Sequence, residues 1–469
     1  MDPFAIFYVN TSTCEGHSPA LRSLGAASSL AACGAKAIAW PHDRCYSLCW
    51  LRAQTNACWC RTDREWMPVP TSEADSARIG WPCATSDDCS HNGVCATNGT
   101  CTCDVAWGGA RCSELRLEPV DRAALGYRAK SAVGENISSW GAPIAYDAAT
   151  QLWHGYASEM ANGCGINAWE TNSQIVHITA QSAFGPYTRR EVVHSQFAHE
   201  PSVRRGPSGE WAMLFSSYAL DERSTPTRQA SECAACRNGT TPKPNTPGCP
   251  FQRGTPKNLG HRFQQMLSVS PDGPGGPWSA PVEIDALSAG WDWNTAFEIE
   301  SDGSALALIR GGMTWYASKY ADNTTWRAVG APAGAPEGPQ FDVGVEDPYV
   351  WRDRANASIV HALLHAFTPF YGVHAWAFAP IGRNWSAHGA PLAWHVSGPA
   401  YGNSVHFTDG TSFAATRRER PHLVWSPDGL AILALSNGVQ FAGTANAPNG
   451  DGTFTLVQPV RRASTRSDQ

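Results

Sequence analysis

The sequence is poor in charged residues. Asp, Glu, Lys and Arg make up 16% of its 469 residues, against about a quarter in an average soluble domain. Acidic side chains outnumber basic ones, and the formal net charge is −6. A general nucleic-acid-binding protein needs a basic surface that displaces counterions from phosphates. We therefore expect no nucleic-acid partner.

Long apolar runs are also missing. No stretch approaches the ~18 consecutive apolar residues of a transmembrane helix, so the sequence predicts no membrane span in this chain. Residues 1–14 lack the basic and then apolar segments of a secretory signal peptide, so no signal peptide is visible. There is also no Gly-x-Ser-x-Gly, P-loop or Rossmann motif. We expect no cofactor and no metal.

Glycine, proline and cysteine are abundant instead. The 43 Gly and 33 Pro residues favour many short elements joined by turns. The 16 cysteines are an even number and cluster in residues 1–112, which is typical of disulfides in an oxidising compartment. Seven Asn-x-Ser/Thr sequons agree with that compartment: Asn10, Asn98, Asn136, Asn238, Asn323, Asn356 and Asn384. We predict an extracellular or secretory-pathway protein, with a cytosolic metal-rich protein as the alternative.

Residues 81–115 contain six closely spaced cysteines, and the run 103–112 has the order Cys, aromatic, Gly, Cys. This pattern resembles an epidermal-growth-factor-like (EGF-like) domain. About 30 residues bury too little apolar surface to fold alone, so disulfides replace a core. The spacing alone allows 15 pairings of six cysteines. The resemblance implies the pairs Cys83–Cys95, Cys89–Cys101 and Cys103–Cys112. A mere spacer or docking stalk is the alternative role.

Residues 1–80 hold another six cysteines, interleaved with aromatic residues, whose pairing stays open: Cys14, Cys33, Cys45, Cys49, Cys58 and Cys60. We predict a small disulfide-rich module that binds glycans or proteins. Residues 116–135 are predicted to be a linker.

Residues 136–469 repeat one pattern five times. Each copy starts with a polar residue close to an alternating apolar strand and a turn, in residues 141–146, 199–203, 294–299, 346–350 and 419–424. Each copy ends with an aromatic residue beside a small polar one, at Tyr187, Trp278, Trp326, Trp385 and Phe454. Five copies of about four short strands predict an all-β fold, a five-bladed β-propeller that follows the two small disulfide-rich modules. A β-sandwich is the alternative, but it does not explain the repeated starts and ends.

The second copy is lengthened by a Cys-containing insertion, residues 222–260. Its cysteines, Cys233, Cys236 and Cys249, could bind zinc together with His261. Two disulfides that include Cys164 fit the predicted compartment better.

Short motifs in the repeat resemble the five-bladed glycoside hydrolases of family 43. The motifs are Glu346-Asp347-Pro348, His199-Glu200-Pro201 and Gly276-Pro277-Trp278. The resemblance implies an Asp general base in the first blade, a second Asp that tunes the acid, and a Glu general acid near a Pro. Glu346 lies two residues before Pro348, as that acid would.

The family's pattern of carboxylates is only partly present in this sequence. Ala142 stands before Pro143 in the first copy and Thr295 before Ala296 in the third, where the family pattern leads us to expect carboxylates. Glycosidic hydrolysis needs one protonated and one ionised carboxyl group on either side of the bond. Glu346, Glu200 and Asp347 are therefore the predicted catalytic residues.

A second set of residues is predicted to bind the substrate. His199, Asn294, Glu419 and Arg420 would hydrogen-bond sugar hydroxyls, and Trp140, Trp291 and Trp293 would stack on a sugar ring. The alternatives are structural: Glu419 and Arg420 pair at the axis, and the tryptophans pack between blades.

These patterns predict a secreted carbohydrate-active protein that binds a carbohydrate or glycoconjugate. It is either a glycoside hydrolase with an incomplete set of carboxylates or a non-catalytic glycan-binding or adhesion protein. A third hypothesis is a structural ectodomain that binds a protein through residues 1–115.

Overall fold

Short segments with period-2 alternation and frequent turn residues form strands throughout the chain. The computed structural model describes residues 83–128, 137–161, 164–166, 169–218, 263–288, 294–329, 344–367, 370–382, 392–441 and 453–462, and the backbone of five strands between residues 6 and 79. The insertion 222–260 therefore lies outside the described residues, as do Trp291 and Trp293. The chain forms two compact units, residues 1–103 with 109–112, and residues 104–108 with 113–469.

The first unit contains a five-stranded antiparallel sheet. Its strands are β1 (Ile6–Val9), β2 (Leu21–Ala26), β3 (Ser47–Leu51), β4 (Ala57–Arg61) and β5 (Ala74–Ile79), in the spatial order β1-β5-β3-β4-β2. The pairing of the cysteines in residues 1–80 lies outside the described residues.

The EGF-like segment is held by its disulfides. A 3₁₀ helix (Ser86–Cys89) precedes the antiparallel pair β6 (Gly93–Cys95) and β7 (Cys101–Cys103), and β8 (Trp107–Gly108) pairs with β9 (Glu114–Leu115). The bridges are Cys83–Cys95, Cys89–Cys101 and Cys103–Cys112. The disulfide pairing implied by the EGF resemblance is confirmed.

Five further sheets follow along the chain, one for each repeat. The first has β10 (Ser139–Trp140), β11 (Ile144–Asp147), β12 (Leu152–Met160), β13 (Ser173–Ala180) and β14 (Thr188–His194). The second has β15 (His199–Arg205), β16 (Trp211–Tyr218), β17 (Phe263–Ser270) and β18 (Val282–Glu283). The third has β19 (Ala296–Ile299), β20 (Ala305–Leu308), β21 (Thr314–Ala317) and β22 (Trp326–Ala328).

The fourth has β23 (Val345–Arg352), β24 (Ile359–Phe367), β25 (Phe370–Phe378) and β26 (His395–Tyr401). The fifth has β27 (Ser404–His406), β28 (Ser412–Trp425), β29 (Ile432–Phe441) and β30 (Phe454–Pro459). Helices in the described part are short: α1 (Trp169–Asn172) and the 3₁₀ turns Arg122–Ala124, Asp285–Leu287, Arg310–Gly312 and Asn323–Thr325. None of them is long and apolar enough to span a bilayer. The predicted five-bladed β-propeller is confirmed.

The hydrophobic core lies between neighbouring blades. Leu306 and Leu308 of the third blade pack against Val360 and Leu364 of the fourth, and all four are buried. A second cluster joins the first blade to the fifth, so the ring is closed by apolar contact as well. Each blade covers one face of the next, which removes apolar surface from water around the whole ring.

The segment predicted as a linker, residues 116–135, is instead packed onto the last blade in its described part. Tyr127 exchanges backbone hydrogen bonds with Thr455 of β30, and the Glu118 amide donates to the carbonyl of Pro459. Val120 is buried among apolar residues of β27 and β30. Extra pairing protects an edge that β30 would otherwise expose, so this stretch helps to close the propeller.

Tyr127 also ties this segment to the first blade, which leads to a stability prediction. Its hydroxyl donates to the buried carboxylate of Glu159 over 2.5 Å. Tyr127→Phe should lower the free energy of unfolding by about 1–3 kcal/mol, because the carboxylate loses a buried partner. Urea denaturation of the whole chain measures the change. Tyr146→Phe is the control, since its hydroxyl makes no hydrogen bond within the described residues. Equal stability of the two variants would contradict the closing role.

Candidate functional site

One residue at the start of each blade adopts the same unusual backbone conformation. Gly141, Glu200, Asn294, Asp347 and Arg420 all have positive φ angles, between 46° and 67°. Positive φ is uncommon for residues other than glycine and occurs often at functional sites. We call these five residues the axial ring, because the side chains of its last four members meet on the propeller axis.

Strand irregularities explain how these side chains are turned. The inner strands β15, β23 and β28 each shift register beside the axial residue, between His199 and Ser202, Glu346 and Tyr349, and Glu419 and His422. A bulge of this kind re-aims a side chain out of the normal alternation.

The bulges also correct the sequence alignment of the blades. The sequence alignment placed Ala142, before Pro143, and Thr295, before Ala296, at the positions of the expected carboxylates. The structure places Gly141 and Asn294 there, one residue earlier. The conclusion drawn from the sequence is unchanged, since neither position carries a carboxylate.

Arg420 connects the axial ring. Its Nη1 atom contacts Glu200 Oε1 at 2.8 Å and Asp347 Oδ1 at 2.9 Å, and its backbone amide donates to Asp347 Oδ2. The Asn294 amide group donates to the same two carboxylates, at 2.6 and 3.0 Å. Glu200 and Asp347 are 5% and 3% exposed. Two buried carboxylates thus share one guanidinium and one amide group.

Gly141 leaves no room for a side chain in the first blade. A Cβ atom built on it would lie 2.7 Å from the Cβ of Arg420. Both the positive φ angle and the close approach of Arg420 therefore favour glycine at this position. A carboxylate cannot be placed there unless Arg420 moves.

The described residues that directly precede members of the axial ring form a second layer: Trp140, His199, Glu346 and Glu419. Of these, Glu346 is the most accessible described carboxylate, with its side chain 15% exposed. Arg310 contacts its Oε2 at 3.1 Å and His365 its Oε1 at 3.3 Å.

The pKa of Glu346 is raised above the ordinary value of a glutamate. Burial raises the pKa of its carboxyl group, and the neighbouring charge of Asp347 raises it further, although His365 and Arg310 act in the opposite direction. Burial lowers the pKa of His365, but its contact with Glu346 and the charges of Glu419 and Asp347 outweigh burial and raise that pKa overall. A carboxyl with a raised pKa retains its proton at a higher pH than an ordinary Glu, as a general acid must.

Glu419 is bound by Arg417 rather than by Arg420. The Arg417 Nε and Nη2 atoms donate to its two oxygens, each at 2.8 Å. The Arg417 guanidinium also lies 4.9 Å from the centre of the Trp140 ring. Trp140 is buried, and its ring fills the space where Gly438 lacks a side chain. Trp140 therefore packs inside the propeller, which agrees with the structural alternative for the tryptophans. Little of its ring is accessible to a ligand.

His199 links the axial ring to a more exposed aromatic residue. Its ring is stacked on Trp169 with centres 4.9 Å apart, and Nδ1 lies 2.6 Å from the Ser173 hydroxyl. Burial and the charges of Arg420 and Arg417 lower the pKa of His199 well below its usual value. The imidazole is therefore neutral near pH 7, and Trp169 extends the site outward from it.

A metal ion could be shared by four of these residues. One ligand atom each from Glu346, Asp347, His365 and Glu419 lies within 4.8 Å of all the others. Arg310, Arg417 and Arg420 already contact these carboxylates, so their charge is balanced without an ion.

The structure brings most of the predicted site residues together. Glu200, Asn294, Asp347 and Arg420 meet in the axial ring, with His199, Glu346, Glu419 and Trp140 directly beside it. Trp291 and Trp293 lie outside the described residues. Sequence reasoning missed Arg417, which lies on the same strand as Glu419, and Trp169, Arg310 and His365, which come from other parts of the chain. The position of Arg417, two residues before Glu419, is the one signal that could have indicated a charge pair.

Comparisons with known proteins agree with both parts of the fold. Residues 85–115 match the family model of the Teneurin-like EGF domain, so the chain contains an EGF-like domain. No curated protein shows significant similarity to the chain.

Several solved structures share the propeller. A family 43 glycoside hydrolase of Bacillus licheniformis is 12% identical, with a TM-score of 0.41 over 69% of this chain and 53% of that one. An endo-arabinase of Bacteroides thetaiotaomicron is 11% identical, with a TM-score of 0.37 over 72% and 98%. A family 117 glycoside hydrolase of Zobellia galactanivorans is 9% identical, with a TM-score of 0.40 over 74% and 88%.

These similarities concern the fold alone. The present chain spans about half of the Bacillus licheniformis structure. The five sheets of this chain establish its architecture by themselves.

The contacts of Arg420 with two buried carboxylates lead to a prediction about stability. Arg420→Met should lower the free energy of unfolding by about 3–5 kcal/mol, because Glu200 and Asp347 stay buried with no guanidinium between them.

Denaturation in urea at neutral pH measures this effect. Arg122→Met is the matched control, because Arg122 pairs with Asp409 at the surface and the loss of an exposed pair costs little. A change in the Arg420 variant as small as that in the control would overturn the role assigned to that side chain.

Proposed function

We propose that this protein binds a carbohydrate outside the cell, at the end of the propeller axis formed by the axial ring and Trp169. The observation that carries the proposal is the engagement of every predicted catalytic carboxylate by a cation, beside a half-buried tryptophan. This arrangement suits recognition of a neutral, hydroxyl-rich ligand better than cleavage of a bond.

The carboxylate geometry argues against a hydrolytic pair. An inverting glycosidase holds its carboxyl groups about 6.5–9.5 Å apart, with water between them. Here Glu346, Asp347 and Glu419 have oxygens within 4.8 Å of one another, and Glu200 and Asp347 contact the same Nη1 atom. A retaining enzyme needs an accessible nucleophile, but Asp347 is buried and held by Arg420.

The same groups suit sugar binding. Trp169 offers an aromatic ring to the apolar face of a sugar, and the partly exposed Arg310, Glu346 and Arg417 offer hydrogen bonds to hydroxyl groups. Because the buried contacts fix these side chains beforehand, little side-chain entropy is lost when a ligand binds.

An extracellular location is supported by the first part of the chain. Three disulfides in an EGF-like domain require an oxidising compartment to form and persist. The sequon residues Asn98 and Asn356 are exposed, as glycosylation needs. A protein partner for residues 1–115 remains part of this proposal.

A glycan array probed with the full chain identifies the sugar, and Trp169→Ala tests the site. Loss of one sugar–aromatic contact should weaken binding about tenfold or more. Trp394→Ala is the control, because Trp394 is a partly buried tryptophan that packs against the core of the third and fourth blades. Equal binding by the wild type and Trp169→Ala would show that the sugar does not bind at this end of the axis.

Hydrolysis remains a second candidate, favoured by the raised pKa of Glu346. A general acid must be protonated at working pH, so the rate should fall as the pH rises through that pKa. Glu346→Gln should abolish turnover while sugar binding persists.

Product formation from the best array ligand, followed by chromatography, makes the measurement. Turnover by the wild type that is unchanged in Glu346→Gln would exclude Glu346 as the acid. Binding with no turnover in either protein would leave the glycan-binding function alone.

A further inference from the structure

A second pocket lies further along the same axis, away from the axial ring. It has a volume of about 170 Å³ and is lined by later residues of the inner strands, among them Arg204, Glu298, Trp351 and Trp425. Arg204 follows Glu200 by four residues, and a strand rises about 3.3 Å per residue. Arg204 therefore lies roughly 13 Å along the strand from Glu200, whereas Tyr349, two residues after Asp347, lines the near side of the pocket.

A layer of packed side chains separates the two sites. His422 lies between them, with its Nε2 atom 3.4 Å from the carbonyl oxygen of Pro201 and its ring 5.5 Å from that of Tyr349. His422 and Tyr349 are both buried. A ligand in one site does not reach the other.

The charge of the pocket is positive. Four of its lining residues carry full charges: Arg204, Arg205, Arg354 and Glu298. Arg204 is neutralised by Glu298 at 2.7 Å and donates to two backbone carbonyls. Arg205 and Arg354 are exposed, and neither pairs with a carboxylate in the described part of the chain. His154 adds no charge near pH 7, since burial and the neighbouring His177 lower its pKa to about 4.

The walls of the pocket are aromatic. The Arg354 guanidinium lies 4.7 Å from the centre of the Trp425 ring, and the Trp425 Nε1 atom donates to the Tyr349 hydroxyl. Tyr146 is partly exposed on the same lining. A guanidinium held against an aromatic ring keeps its outer N–H groups available to an anion.

We propose that this pocket binds an acidic sugar residue, one ring that carries a carboxylate or a sulfate group. Arg205 and Arg354 pair with the anion, and the aromatic wall contacts the apolar face of the ring. The choice of a sugar rests on the proposed carbohydrate-binding function, whereas the choice of an anion rests on the two arginines. The protein then has two separate carbohydrate sites, one for a hydroxyl-rich ligand at the axial ring and one for an acidic sugar ring here.

Binding of matched disaccharides to the full chain tests this proposal. Cellobiose, cellobiouronic acid and cellobiose 6-sulfate share one skeleton, so the two acids report on carboxylate and sulfate separately. At least one acid should bind about tenfold or more tightly than cellobiose, because charge-assisted hydrogen bonds are added. Ligand-observed NMR titration measures the dissociation constants.

Three variants assign the effect. The double variant Arg205→Gln/Arg354→Gln should remove the preference for the acid. Arg462→Gln should leave it unchanged, since Arg462 is also an exposed arginine near an aromatic ring, that of Phe184, outside the pocket. Trp169→Ala should leave it unchanged too, so failure at the axial ring and failure here are distinguishable.

Two results would overturn the proposal. One is equal affinity for cellobiose and both acids, or a preference that survives in the double variant. The other is inorganic sulfate that binds as tightly as the acidic disaccharides, because the ring would then contribute nothing.

Discussion

The contact of one guanidinium with two buried carboxylates holds the centre of this propeller together. Arg420 of the fifth blade reaches Glu200 of the second and Asp347 of the fourth, and Asn294 of the third completes the set. Four blades are thus joined by polar contacts at the narrow end of their inner strands, where few apolar atoms meet. The first blade contributes only Gly141, and the absence of a side chain there leaves room for Arg420.

Backbone geometry makes this arrangement possible. A regular strand would alternate its side chains between the two faces of its blade, and none would converge on the axis. A left-handed residue breaks that alternation once in each blade, and a bulge adjoins it in the second, fourth and fifth blades. Polar contacts at the axis then hold a conformation that is costly for Glu, Asp and Arg. Fold and site therefore depend on the same four side chains.

Much of this could be predicted from the sequence, because repeats are visible without structure. Repeated starts and ends gave the number of blades, and the cysteine spacing with its EGF resemblance gave the three disulfides. Residues close to the axial positions carry a local signal, so Glu200, Asp347 and Arg420 were found. The register was off by one in the first and third copies, because the sequence alone does not show which residue takes the positive φ angle.

Partners from elsewhere in the chain could not be predicted. Trp169, Arg310 and His365 approach the axial ring from loops and outer strands, and no local pattern distinguishes them from core or surface residues. The role of residues 116–128 was missed for a related reason. A segment that pairs with the last strand of a ring looks like a linker in sequence, since its partner lies more than 300 residues away.

The two ends of the axis differ in chemistry because the inner strands carry different residues along their length. Carboxylates and their cations surround the axial ring, where every described charge has a partner. Arginines and aromatic rings dominate the later part, where two cations have no carboxylate partner among the described residues. Buried charges in the first region are balanced internally and set the geometry of the propeller. The excess positive charge in the second region has no structural use of that kind, so a ligand from outside is the simplest counterpart for it.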